Sequence, residues 1–249
     1  MNSRNSGSGR PRASSRETLA EAAAELFLEQ TYAGTTVDDI ARRAGVSRAT
    51  FFNYLASKSD LLWLEVDEAL KGFPELLVAP GAGILPMDAV LIAVLRLAEG
   101  FGPGRLPLAV TQVELMETDA ELQASALPRF LAVVRQIAAA IAARTGDDAE
   151  GPLPRGAAAA VVGAGVAAVG VWARAGVGRG PLKPLVREAV EPVCRGYTTA
   201  LLSATAGPAE RARMDGTDID PAITGESSEE QWGGPLSRTE RVRPVTAGE

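Results

Sequence analysis

The sequence predicts an all-α chain, and three observations carry that reading. Apolar residues recur at helical spacing in segment after segment, from Leu19 to Leu202. Alternating apolar runs bounded by hairpin turns, the mark of strands, are absent. Third, Thr35 to Leu62, TTVDDIARRAGVSRATFFNYLASKSDLL, reads as a short helix, a tight turn and a second short helix. The expected organisation is a basic arm over 1–14, a three-helix unit over 15–60, a larger helical unit over 61–204 and a disordered tail over 205–249, with about nine helices in all.

In the helix-turn-helix, Val37, Ile40, Ala41 and Ala44 form one apolar stripe. Thr36 stands at an N-cap with Asp39 three residues on, close to a capping box. Gly45 supplies a left-handed helix end, and Ser47 caps the helix that runs from Arg48 through Tyr54. Ordinary packing of two helices is the bland alternative; a second helix of this size also fits a DNA major groove. Beyond it, Lys58 to Lys71 is amphipathic and a Pro/Gly-rich loop runs from Pro74 to Leu85. Pro86 opens a helix to Gly100, and Pro107 to Met116 is a short one. Asp119 caps a long helix to about Arg144, bent by Pro128, and two more run over Arg155–Ala175 and Pro181–Leu202.

Composition narrows the function. The 249 residues carry a net charge of −6, at first sight poor for nucleic acid. Residues 1–60, however, hold eight Lys and Arg against seven acids, and the rest seventeen against twenty-four. Arg4, Arg10, Arg12 and Arg16 form an acid-free stretch suited to phosphate or minor-groove contact, or simply to a solvated tail. Glu17, Glu21, Glu25 and Glu29 then have to face away from DNA. The single cysteine, Cys194, forbids an internal disulfide and fits a reducing cytoplasm, and the polar N-terminus has no signal-peptide core. Histidine is absent, which removes His-based metal sites, Ser-His and Cys-His pairs and His bases; no metal, cofactor or catalysis is expected. The tail, rich in Gly, Pro, Ser, Thr and charge with Trp232 as its one aromatic residue, buries too little to offset its ordering entropy.

Residues 15 to 70 resemble the N-terminal domain of the TetR family of bacterial transcriptional regulators, through Phe51-Phe52-Asn53-Tyr54-Leu55 followed by Ser57-Lys58. The resemblance implies a DNA-binding face of Thr36, Ser47, Arg48, Ala49, Thr50, Phe52, Asn53, Tyr54 and Lys58. Arg48 can fork onto a guanine, Ala49 can meet a thymine methyl, and Lys58 and Thr36 can hold phosphates. Phe51 and Leu55 are expected in the core. Thr31 stands where the family usually has Gly, at a cost on the order of 1 kcal/mol if its backbone is left-handed.

The resemblance further implies a homodimeric repressor on a palindromic double-stranded operator, released by a small ligand. Trp63, Phe101, Glu114, Phe130 and Trp172 are the candidate ligand residues, and the apolar lining suits an acyl chain. The stretch from Leu62 onward is weakly closer to members associated with mycofactocin and acyl-CoA metabolism. Small residues at Ala160, Gly163 and Ala167, with Val171, let another helix approach and form the expected dimer face.

Two lookalikes share that helix. Gly163-x-Gly165-x-x-Ala168, with Glu188 twenty residues on, matches a dinucleotide fingerprint and makes an NAD(P) oxidoreductase the alternative, but it needs flanking strands. Gly156 to Ala173 is eighteen residues without a charge, but its Ala and Gly suit helix packing better than a membrane span. An interaction module with no effector is the third class.

Overall fold

A computed structural model describes residues 15–102 and 108–205. The arm, Pro107 and the tail from 206 onward therefore lie outside the described residues. Among those described there are α-helices and two 3₁₀ turns but no β-strand. The α-helices are α1 (Ser15–Gly34), α2 (Val37–Arg43), α3 (Arg48–Tyr54), α4 (Leu64–Lys71), α5 (Phe73–Val78), α6 (Pro86–Glu99), α7 (Leu108–Thr111), α8 (Val113–Met116), α9 (Asp119–Thr145), α10 (Pro152–Arg174) and α11 (Lys183–Thr205). Among the described residues, setting aside the single turns α7 and α8, nine helices remain.

Two hydrophobic cores organise the chain. In the first, Leu19, Leu26 and Phe27 of α1 close over Ile40 of α2 and Phe51 of α3, with Leu61, Leu62 and Met116 completing it. In the second, α6, α9, α10 and α11 form a ring of four, each packed on two neighbours. Val90, Ile137, Ile141, Val161, Trp172 and Val190 fill its centre. Ala157 and Ala158 are fully buried, so α10 lies close to its neighbours at the expense of large side chains.

Several boundaries differ from expectation. Lys58–Lys71 is not one helix: Ser59–Trp63 is 3₁₀, and Trp63 leaves the helical region (φ −109°, ψ 0°) before α4 starts. The 74–85 loop shrinks because Pro74 occupies the first turn of α5, where its missing N–H has no helical partner to lose. Residues 108–116 form two separate turns rather than one helix. Thr118, not Asp119, holds the N-cap position of α9; Asp119 instead accepts from Gln123 Nε2 at 2.7 Å. Pro128 lies inside α9 without ending it.

α1 is broken at Gln30–Thr31, where Thr31 has φ +64° and ψ +166°. That is backbone suited to glycine. Thr35, buried, binds the break together: its hydroxyl donates to the Thr31 carbonyl at 2.8 Å and Gln30 Nε2 donates to it at 3.3 Å.

Candidate nucleic-acid interface

Three local motifs set the angle between α2 and α3. Thr36 Oγ1 accepts from the Asp39 amide (3.1 Å) while Asp39 Oδ2 accepts from the Thr36 amide (3.0 Å), a complete capping box with Asp in the place usual for Glu. At the other end Val46 N–H reaches Ala41 O and Gly45 N–H reaches Arg42 O, a Schellman closure. Gly45 has φ +70° and no atom within 4 Å of where a Cβ would sit, so conformation alone calls for glycine. Ser47 Oγ then accepts from the Thr50 amide at 3.0 Å and starts α3.

The helix so placed is sharply two-faced. Phe51 and Leu55 are buried in the first core, as expected. Ser47, Arg48, Ala49, Phe52, Asn53 and Tyr54 are exposed, and Thr50 is half-buried. Arg48 is held ready rather than free: Nη1 pairs with Asp38 at 2.8 Å and the guanidinium lies 5.3 Å from the Phe52 ring centroid. Phe52 thus supports Arg48 as well as offering apolar surface. The acids of α1 are partly neutralised, because Arg43 pairs with Glu25 (3.1 Å) and Glu29 (2.7 Å). Hydrogen bonding from Arg43 holds the Glu29 carboxyl below its usual range.

Two residues expected at phosphates, Lys58 and Thr36, have partners within the protein. Lys58 turns inward, donating to the Tyr32 and Thr35 carbonyls at 2.8 Å each with Nζ 3.8 Å from the Tyr32 ring centroid. Burial pulls its pKa below the usual lysine value. Its charge is directed at carbonyls in the last turn of α1 and in the link to α2. The Thr36 hydroxyl donates to Asp39 Oδ2 at 2.6 Å, so its proton is already committed. Tyr32, Thr35, Asp60 and Arg129, which hold this unit together, were not singled out from the sequence. Each acts through a backbone group or a residue far along the chain, which no local spacing signals.

The candidate effector residues divide between the two cores and the surface. Trp172 is core, its Nε1 donating to Gly180 O at 2.8 Å. Trp63 packs on the first core and donates to Ser125 Oγ at 2.8 Å. Glu114 is exposed, whereas Phe101 and Phe130 are half-buried against the second core. A cavity of about 560 Å³ lies between α1, the 3₁₀ turn and α4, with Phe27, Leu61, Leu62 and Met116 on its floor and Glu17, Glu21, Glu65 and Glu68 around it. Another of about 390 Å³ lies between the 82–87 segment, Arg144 and Leu201. Neither is lined by Trp63, Phe101, Glu114, Phe130 or Trp172.

On α10, Gly163, Ala167 and Val171 are exposed and Ala160 is half-buried, while Ala157, Val161, Ala168 and Trp172 face inward. The Gly163-x-Gly165-x-x-Ala168 run lies mid-helix with no strand before it, so it cannot form a dinucleotide turn. By length and composition α9 and α10 are apolar enough to cross a membrane, but here both are packed in the second core. Among the described residues no three His, Cys, Asp or Glu are grouped to hold a metal.

A helix-turn-helix with an outward recognition helix, joined to a second all-α core, defines a DNA-binding regulator. Residues 19–63 match the family described as bacterial regulatory proteins, tetR family, and residues 84–198 match the MftR C-terminal domain. The chain belongs to the TetR family of transcriptional regulators. It is 28% identical over 166 residues to a candidate mycofactocin biosynthesis transcriptional regulator, MftR, of Mycobacterium tuberculosis, covering 67% of this chain and 83% of that one. With the HTH-type transcriptional regulator TcmR of Streptomyces glaucescens it shares 32% identity over 138 residues, 53% and 61% of the two chains. Among solved structures, NalD of Pseudomonas aeruginosa aligns with a TM-score of 0.49 at 21% identity, over 73% of this chain and 96% of that one.

Proposed function

We propose that this DNA-binding regulator is a cytoplasmic homodimeric repressor that binds a palindromic operator and is released by an apolar ligand. The observation that carries the DNA-reading part is the division of α3, with Phe51 and Leu55 fully sunk and Arg48, Ala49, Asn53 and Tyr54 outward. Arg48 reads a base, and Asp38 is the partner it leaves on doing so. Lys58 holds the end of α1 in place and acts on DNA only indirectly.

The exposed small-residue face of α10, around Gly163 and Ala167, supports pairing with a second copy. An effector among Phe101 and Phe130 fits the half-buried apolar surface there; long-chain acyl-CoAs are the first compounds to screen. A switch needs roughly a hundredfold difference in ligand affinity between the two states, and operator DNA must weaken ligand binding by the same factor.

The test is selection of duplexes from a randomised pool by the full-length chain, followed by titration. A two-fold symmetric site should emerge, and Arg48→Ala should lose about 1–3 kcal/mol of discrimination at one base pair per half-site. Gly163→Glu should give monomers in light scattering. Equal losses on selected and random DNA would remove Arg48 from base reading. A chain that binds its operator but responds to no ligand is a helix-turn-helix module without an effector.

A further inference from the structure

Asp60 is shared between the two halves of the molecule. Its Oδ2 accepts from the amides of Ala56 (3.0 Å) and Ser57 (2.9 Å), the first residues beyond Leu55, which closes the recognition helix. Its Oδ1 accepts from Arg129 Nη2 at 3.3 Å. Arg129 belongs to α9, and its guanidinium is engaged at every nitrogen: Nε and Nη2 fork onto Asp67 at 2.8 and 2.9 Å, and Nη1 donates to Ser125 O at 3.1 Å. One face of the same plane lies 5.0 Å from the Trp63 ring centroid.

This pairing is one point on a continuous docking face. Glu121 lies against the Tyr32 hydroxyl, Leu122 packs on the first core, Ser125 bonds Trp63 and Arg129 bonds Asp60 and Asp67. Positions 121, 122, 125 and 129 share one side of a helix. The ion pairs are three-quarters buried at Arg129 and nearly so at the two acids, so salt screens them less than a surface pair. α3 itself has seven residues, too few to stand alone, so the backbone that leaves it takes part in fixing its angle. A planar guanidinium satisfied at every nitrogen tolerates little displacement.

We propose that Arg129 is a positioning residue for DNA recognition: through Asp60 it fixes the backbone leaving α3 and so ties the angle of the recognition helix to the place of α9.

Backbone amide exchange in the full-length chain, read by NMR, is the primary test. Arg129→Gln should raise exchange at Ala56 and Ser57 by about tenfold, a lost charge-assisted contact, and leave amides in the middle of α10 unchanged. Arg129→Lys keeps the charge without the fork and should fall between the two. On the duplex selected by the unmodified chain, Arg129→Gln should weaken binding by about tenfold, yet add less than about twofold in an Asp60→Asn background, because both changes break one chain of contacts. Unchanged exchange at Ala56 and Ser57, or additive losses in the double variant, overturns the proposal. Failure to select any duplex would count against the DNA reading alone, since the exchange measurement stands without DNA.

Discussion

The two cores of this molecule are built by opposite means. Around the first, helix ends are fixed by local motifs: the Thr36 and Asp39 side chains box the start of α2, the backbone at Gly45 closes it, and the Ser47 hydroxyl starts α3. Around the second, α6, α9 and α10 begin with no side-chain cap, and of these three only α9 ends in a left-handed glycine, Gly146. The first core also centres on the aromatics Phe27, Tyr32 and Phe51, the second mostly on Ala, Val, Leu and Ile around Phe73 and Trp172. Short helices with marginal intrinsic stability need local motifs; long ones buried along their length do not. The difference teaches where to expect precision, since the capped half has to present side chains to a rigid duplex.

The largest expected effects test whether the cores respond separately. Phe51→Ala and Trp172→Ala should each cost about 3–5 kcal/mol in denaturant unfolding. The first should abolish DNA binding and expose the α3 amides to exchange; the second should leave those amides comparatively protected. Equal exposure of both cores in both variants would break the comparison. Next in size, Ser47→Ala should cost about 1 kcal/mol, read as a lower melting temperature together with weaker DNA binding. An unchanged α3 in that variant would mean that packing of Phe51 alone sets its start.

The pattern of legibility follows the same division. Thr36, Gly45, Ser47, Phe51 and Leu55 were readable because capping and amphipathic spacing are properties of a few adjacent residues. The family followed from the same stretch, and the all-α class from helical spacing along the chain. The inward turn of Lys58 was not readable, because its partners are the carbonyls of Tyr32 and Thr35, more than twenty positions away. Nor was the separation of Trp63 from Trp172, which depends on which core each helix joins. A run such as 59–63 also gives no local sign that it will wind as 3₁₀, since Asp60 and Trp63 are held there by α9.

Smaller changes sharpen the account of the capped half. Thr31→Gly should stabilise the chain by about 1 kcal/mol, because the threonine pays for a positive φ that glycine adopts freely. A loss instead would show that the threonine side chain contributes more than its strained backbone costs. The smallest effect is electrostatic. Hydrogen bonds from the Thr36 hydroxyl and amide, with Arg42 adding to them, hold the Asp39 carboxyl below its usual pKa. A depressed folded-state value adds stability above the unfolded carboxylate pKa, and this is lost as pH falls through the folded value. Titrated by NMR, Asp39 should therefore protonate at lower pH than a free aspartate, and Thr36→Ala should return it towards the ordinary value.

Cys194 gives the second core a built-in clock. The thiol is 1% exposed on α11, and burial, with Asp88 and Glu191 adding to it, pushes its pKa up to about 12. In the closed molecule it is both sheltered and almost wholly protonated, the unreactive form. It is also the one sulfhydryl in the sequence. Any reaction with a disulfide reagent near neutral pH then counts openings of the α6–α11 seam. The rate of that reaction, followed with and without DNA, reads how often the second core breathes, without a label being added to the protein.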